Sequence, residues 1–319
     1  MSRSATSPRK LIRAVVVLAV LVIAHLGVSY WLYDLDDVLA NREGKGIPDG
    51  LTGPAHITPL RDGIFLIGAS GKNVVAVIGT DGVLLVDSNE PPELERVQAA
   101  LDTLTDLPVR YIINTHPHGD HIGGNAFFAR DGAQVIATRS AAARIREDDA
   151  ANGRNGPPPS GTVPDTVFDD SYRMTFGPHT VEITEIPDAH SEGDAVVRFV
   201  EANVIAAGDL FINEGLPYIA TDMGRSIDGY LAGMGLLIAM ADDETVIAPG
   251  HGPAGDMARL AETRDRLAGV RNAVAFRKGL GLSQKLIILT YPAHDWPVSW
   301  QRYGVARKWF VKAVYRSLQ

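Results

Sequence analysis

The sequence predicts an α/β protein, on two observations. Short apolar stretches rich in β-branched residues alternate with helical periodicity, and metal-capable side chains recur just beyond the ends of those stretches. Ile64–Ile67, Asn73–Thr80 and Gly82–Ser88 read as strands, with Asp81-Gly82 as the turn between the last two. Glu90 to Leu104 reads as a helix: Leu94, Val97, Leu101 and Leu104 share one face, and Pro91 and Pro92 suit a first turn. Val109–Asn114 is the next buried strand and runs directly into Thr115-His116-Pro117-His118-Gly119-Asp120-His121. Farther on, Val181–Ile186 runs into Pro187-Asp188-Ala189-His190, Val204–Ala207 into Gly208-Asp209, and Val246–Ala248 into Pro249-Gly250-His251. A helix over Ser226–Met240 separates the last two strands. Loops carried on rigid strands are where functional groups gather. Asn152–Pro164, rich in Gly and Pro, reads as a surface loop or as a flap beside such a site.

At 319 residues, 45% hydrophobic and 21% charged, the chain holds enough apolar material for one large domain with appendages. A formal net charge of −8 argues against a nucleic-acid partner, whose phosphates call for a basic surface. With no cysteine, disulfides and thiolate metal ligands are excluded. From Ala14 to Tyr33 there is no charged residue, over about the length a helix needs to cross a bilayer. Arg3, Arg9, Lys10 and Arg13 precede this run and Asp34, Asp36 and Asp37 follow it, which predicts a cytoplasmic N-terminus and an exported remainder. His25 within the run reads as a tolerated polar residue. The expected organisation is an N-terminal hydrophobic helix over residues 1–33, acting as signal anchor or transmembrane segment, then a linker over 34–56. The main domain spans 57–280 and a C-terminal helical extension 281–319. Cleavage after Val38-Leu39-Ala40 is the alternative, and it leaves a periplasmic protein in place of a membrane-anchored one.

The chemistry concentrates in His116-Pro117-His118-Gly119-Asp120-His121. Imidazole nitrogen and carboxylate oxygen are standard zinc ligands, and a short loop can serve two adjacent ions by alternating side-chain direction. Pro117 and Gly119 ease the tight turn this requires. So dense a cluster rarely arises by chance.

HPHGDH resembles the HxHxDH signature of the metallo-β-lactamase superfamily, and its companions follow in that family's order. His190 lies in PDAHSEGD, similar to PGHTxGD; Asp209 lies in AAGDLF, similar to TGDxLF; His251 lies in PGHGP. The likeness covers roughly Ile57 to Arg271. It implies a four-layered αβ/βα sandwich with a dinuclear site at one edge of the paired sheets. It further implies two zinc ions per chain, with iron or manganese as alternatives. By resemblance His116, His118 and His190 hold the first metal, Asp120, His121 and His251 the second, and Asp209 bridges them. The implied reaction is hydrolysis of a small molecule: a hydroxide held between the ions attacks a carbonyl, and the catalytic Asp120 orients it and carries its proton.

The departures from the family narrow the substrate. Lacking cysteine, the chain is unlike the lactamases that place one at the second metal, and Asp209 resembles the carboxylate bridge of glyoxalase II and lactonases. Glyoxalase II's glutathione-binding basic cluster has no match in the tail, which favours a β-lactam or lactone-like substrate over a glutathione thioester, the runner-up. A non-hydrolytic metalloprotein or metal-binding scaffold is the alternative of another class, and it sits poorly with a full set of ligand positions.

Other residues carry two readings each. Asp87 is a support for the metal loop or a plain strand-end cap. His56, His179 and His294 read as surface or core histidines. Phe211, Tyr218, Met223 and Trp296 line a pocket or pack the core. Lys308, Lys312 and Arg316 recur at four-residue spacing on a final helix, as a solvated face or as a contact for anionic lipid.

Overall fold

The computed structural model describes residues 53–61, 63–151, 161–290 and 303–318, with Val16, Val17, Val20, Ala24, Ala293 and Trp296. Most of the apolar N-terminal run, nearly all of the linker, positions 152–160 of the Pro-rich loop, and His294 lie outside the described residues. Among the described residues no helix is long and apolar enough to cross a membrane.

One sheet follows chain order: β1 (His56–Arg61), β2 (Ile64–Ala69), β3 (Lys72–Ile78), β4 (Val83–Val86), β5 (Val109–Ile113), β6 (Gln134–Thr138) and β7 (Thr166–Phe168). β1 to β4 pair antiparallel, while β4 to β7 pair parallel and need crossovers, among them α1 (Leu94–Leu104) and α2 (Arg139–Ala151). The other sheet contains β8 (Ser171–Phe176), β9 (His179–Ile186), β10 (Asp194–Phe199) and β11 (Val204–Ala206). A short β12 (Gly215–Leu216) lies outside it, and β13 (Val246–Ala248) and β14 (Gly255–Asp256) complete the order β14-β13-β11-β10-β9-β8. Against this sheet pack α3 (Ile227–Ala239), α4 (Met257–Gly279), α5 (Gln284–Leu289) and, after β15 (Tyr303–Gly304), α6 (Arg307–Ser317).

Side-chain alternation sorts the apolar residues into three cores. In β4, Val83 and Leu85 join Leu94, Val97 and Leu101 of α1, whereas Leu84 and Val86 join Val197 and Phe199 of the facing sheet. In β11, Val204 and Ala206 enter that inter-sheet core, whereas Ile205 packs with Tyr230, Met234, Leu260 and Phe310. Three cores separate four layers, helix, sheet, sheet, helix, as the αβ/βα expectation requires. Burial on both faces explains why β4 and β11 read as unbroken apolar runs.

Several boundaries differ from the sequence reading. α1 begins at Leu94 rather than Glu90, because Pro91 and Pro92 lie in a preceding turn closed by Glu93 N donating to Glu90 O at 2.9 Å. Asp87, Ser88 and Asn114 leave the ladder and belong to the loops that build the site. α3 matches closely: Ser226 caps it, its hydroxyl accepting from Gly229 N at 3.0 Å.

Candidate metal centre

The loops after β5, β9, β11 and β13 converge at one edge of the sandwich. They bring together all seven side chains singled out by the motifs, in two groups: His116, His118, His190 and Asp209, and beside them Asp120, His121 and His251. In the first, His118 Nδ1 lies 3.1 Å from His116 Nε2 and 3.0 Å from His190 Nε2, while Asp209 Oδ2 is 3.4 Å from His190 Nε2. In the second, Asp120 Oδ2 is 3.2 Å from His251 Nε2 and 3.7 Å from His121 Nε2. Asp209 Oδ1 turns to this group, 3.3 Å from His121 Nε2 and 3.4 Å from His251 Nε2. The two oxygens of one carboxylate thus face different donor groups.

This donor set fits metal ions. Ligand atoms around a tetrahedral zinc stand about 3.3 Å apart, given bonds of roughly 2.0–2.1 Å, and the observed spacings bracket that value. Among the described residues His121 Nε2 and Asp209 Oδ1 are buried yet hydrogen-bond to nothing. Leaving a polar atom so costs about 1–3 kcal/mol, and a cation between them satisfies both. Gly250 makes the approach feasible, since a Cβ there would come within 2.1 Å of Asp209 Oδ1.

A profile of the metallo-beta-lactamase superfamily matches residues 67–251. The chain belongs to the metallo-β-lactamase superfamily. A metallo-beta-lactamase of Chryseobacterium indologenes is 26% identical over 200 residues, covering 59% of this chain and 75% of that protein. A hydroxyacylglutathione hydrolase of Synechococcus is 32% identical over 146 residues, covering 46% of this chain and 50% of that one, so the chain spans only about half of it. Among solved structures, a metallo-beta-lactamase from Pontibacter korlensis shares the fold, with a TM-score of 0.55 at 19% identity over 67% of this chain and 99% of its own. As a superfamily member carrying this His/Asp cluster, the protein is a metal-dependent hydrolase.

Around the metallo-β-lactamase cluster a second ring of groups fixes the imidazoles. His121 Nδ1 lies 2.8 Å from Asp87 Oδ2, His190 Nδ1 3.0 Å from the Tyr218 carbonyl, and His251 Nδ1 3.1 Å from the Gly71 carbonyl. Each partner is an acceptor, so each ring protonates there and turns its Nε2 lone pair to the cluster. Asp87 also accepts from Thr115 N and from Thr115 Oγ1, both at 2.8 Å, and Thr115 Oγ1 meets His116 Nδ1 at 3.0 Å. Asp87, in a left-handed conformation with φ 64°, is therefore a support of the metal loop and not merely a strand-end cap. Asp194 Oδ2 accepts from His190 N at 2.6 Å, and Tyr230 donates its hydroxyl to the Asp209 carbonyl at 2.8 Å. Sequence reasoning did not find Thr115, Gly71, Asp194 or Tyr230. Only Asp194 left a signal, as the last residue of PDAHSEGD.

Among the donors themselves charge is divided unevenly. Burial and the neighbouring His121 hold His116 well below the usual imidazole range, and burial with His190 lowers His118 to about 4. Burial opposes protonation of His121 and His251 too, yet the carboxylates prevail: Asp87 raises His121 well above its usual range, and Asp209 with Asp120 raises His251 to about 9. Asp120 and Asp209 stay below the carboxylate range despite burial, because His251 and His121 face both.

The remaining candidates separate cleanly. His56 is exposed, and His179 sits at the start of β9, the end away from His190, buried beside Phe199. Phe211 and Trp296 are core residues, whereas Tyr218 is 47% exposed with its ring 6.1 Å from that of His118. Met223 is half-buried, its Sδ 3.7 Å from Arg144 Nη1.

Proposed function

We propose that the protein is a dinuclear zinc hydrolase of small carbonyl compounds, with β-lactams and lactones favoured. The observation that carries this reading is the Asp209 carboxylate, whose oxygens face two separate donor groups and whose Oδ1 has no other partner. His116, His118 and His190 would hold one ion, Asp120, His121 and His251 the other, with Asp209 between them. Bound zinc lowers the pKa of water to about 7 and polarises a carbonyl oxygen, supplying nucleophile and electrophile at neutral pH. Asp120, partly exposed and ionised, accepts the proton of the attacking water on its carboxylate and returns it to the leaving group. Asp87, Tyr218 and Gly71 keep the imidazoles aligned while charge shifts. The Synechococcus relative, by name a hydroxyacylglutathione hydrolase, supports a thioesterase as the second reading.

Metal analysis and a hydrolysis panel test this together. The purified chain is expected to bind close to two zinc ions and to open at least one β-lactam or lactone. Asp209→Ala is expected to lose metal and at least about a thousandfold in rate, several kcal/mol of transition-state stabilisation. Full activity with one metal per chain would sink the dinuclear reading, and efficient turnover of S-lactoylglutathione alone would move the substrate to the thioester.

We also propose that the apolar run from Ala14 to Tyr33 anchors the protein with its catalytic domain on the periplasmic side, on the strength of the flanking charges. A reporter active only outside the cytoplasm, fused after Gln319, is expected to be active, with the protein retained in membranes after a salt wash. A shortened soluble product would favour cleavage near Ala40.

A further inference from the structure

The C-terminal extension is built into the rim of the metal centre. β12 pairs in parallel with β15, and Val305 N donates to Leu216 O at 2.8 Å, so backbone bonds tie the segment carrying Tyr218 to the one that leads into α6. Between these segments lies a cleft of about 370 Å³, lined by Pro217, Tyr218, Asp222, Trp309, Lys312 and Arg316 among others. That volume falls within the range of small-molecule sites. Tyr218 belongs to both places. Its carbonyl accepts from His190, its ring lies 6.1 Å from that of His118 and 6.4 Å from that of His190, and its side chain walls the cleft. Tyr218 is thus the residue that borders both the metal loops and the cleft.

The charge there opposes that of the molecule. The chain carries a net −8, yet α6 presents Lys312 and Arg316 to the cleft, four residues apart. Neither forms an ion pair with a described carboxylate. Lys312 Nζ lies 4.5 Å from the centre of the Trp309 ring, and that ring is 53% exposed. The facing acid, Asp222, is directed to Tyr218, whose hydroxyl is pushed above its usual range by burial and by that charge. Two cations without a described carboxylate partner, one of them over an exposed aromatic ring, form a site for an anion attached to an apolar group.

Resting on the hydrolase reading above, we propose that this cleft is the distal substrate subsite: Lys312 and Arg316 pair with a carboxylate, Trp309 and Pro217 pack against the apolar group that bears it, and Tyr218 separates both from the reacting carbonyl. The preferred substrate is then an acyl compound with a carboxylate and an aryl or branched apolar group a few bonds from the cleaved bond. A β-lactam acid belongs to that class, and a neutral lactone does not.

Binding and turnover are measured on the full chain. Trp309 fluorescence, with Trp309→Phe as the blank, is titrated with phenylacetate and with its neutral twin phenylacetamide, both before and after zinc loading. Phenylacetate is expected to bind at least about tenfold more tightly, and Lys312→Ala with Arg316→Ala to erase about tenfold of that preference. In turnover, the preference for a penicillin over its methyl ester is expected to fall by a similar factor in the double variant, through KM rather than kcat. Equal binding of acid and amide, or a preference that survives both substitutions, overturns the proposal. A variant-sensitive preference for phenylacetate without turnover of any compound sustains the cleft and defeats the hydrolytic assignment, so the two failures are distinguishable. Variant-sensitive binding to phosphatidylglycerol vesicles without any preference for phenylacetate overturns the proposal in favour of a lipid surface.

Discussion

At the scale of single residues, the centre depends on groups that never touch metal. Asp87 joins Thr115, His116 and His121 into one hydrogen-bonded unit, so removing it frees two imidazoles at once. Asp87→Ala is expected to weaken zinc binding by about 10–100-fold, read by competition with a chromophoric chelator. A change below twofold would show that the ring orientations are held by packing alone. Protonation supplies a second expectation at this scale. In the metal-free protein His251 is raised to about 9, above the value of about 6.5 for an unfolded imidazole. Its stabilising contribution is therefore complete below pH ~6.5 and is lost as pH rises through about 9. The raised His121 acts in the same direction, and the lowered His116 and His118 act only below pH ~6.5. The melting temperature of chelated protein should fall between pH 7 and 9.5, with a shallower fall in His251→Gln. A flat profile would contradict the pairing with Asp209 and Asp120.

At the scale of elements, strands deliver donors and glycines let their loops meet. Asn73, on β3, donates to the carbonyls of Pro249 and Gly252 at 2.9 and 2.8 Å, stitching the His251 loop to the opposite sheet. Gly250 sits within that stitched turn, against Asp209. Gly250→Ala should preserve the fold by circular dichroism but reduce zinc occupancy and activity by about tenfold or more, because the added methyl cannot coexist with the Asp209 carboxylate where it now stands. Wild-type metal content in that variant would mean that the two loops yield easily. At this scale the sequence was readable where burial is two-sided or one-faced in a regular way. β4, β11 and α3 announced themselves through apolar runs or a capping Ser226. β7 and β8, with short or half-exposed patterns, did not, and neither did α4, whose charged residues dilute its apolar stripe.

At the scale of the whole molecule, the candidate donors come from both halves of the sandwich. The first sheet supplies His116, His118, Asp120 and His121, and the second supplies His190, Asp209 and His251. Ions held there as proposed would bind only the folded state and would stabilise it by about 4 kcal/mol when free zinc is about a thousand times Kd. Chelation is accordingly expected to lower the melting temperature by several degrees, restored on adding zinc. An unchanged melting temperature, with metal removal verified, would separate the site from stability altogether.

By itself the sequence determined the α/β class and marked seven candidate donors just past strand ends, because alternation and tight-turn residues are local properties, while the four-layered order was implied by the family resemblance. Tertiary structure decided which donors share a group. His118 and His190 are 72 positions apart, and their approach follows from how two sheets pack. It also decided what holds each imidazole, since the carbonyls of Gly71 and Tyr218 are backbone atoms that no residue type signals. The cleft beside Tyr218 belongs to the same category. Lys312 and Arg316 read as a solvated helix face until β15 is seen paired with β12 and α6 packed into the core, since these long-range contacts set α6 beside Tyr218.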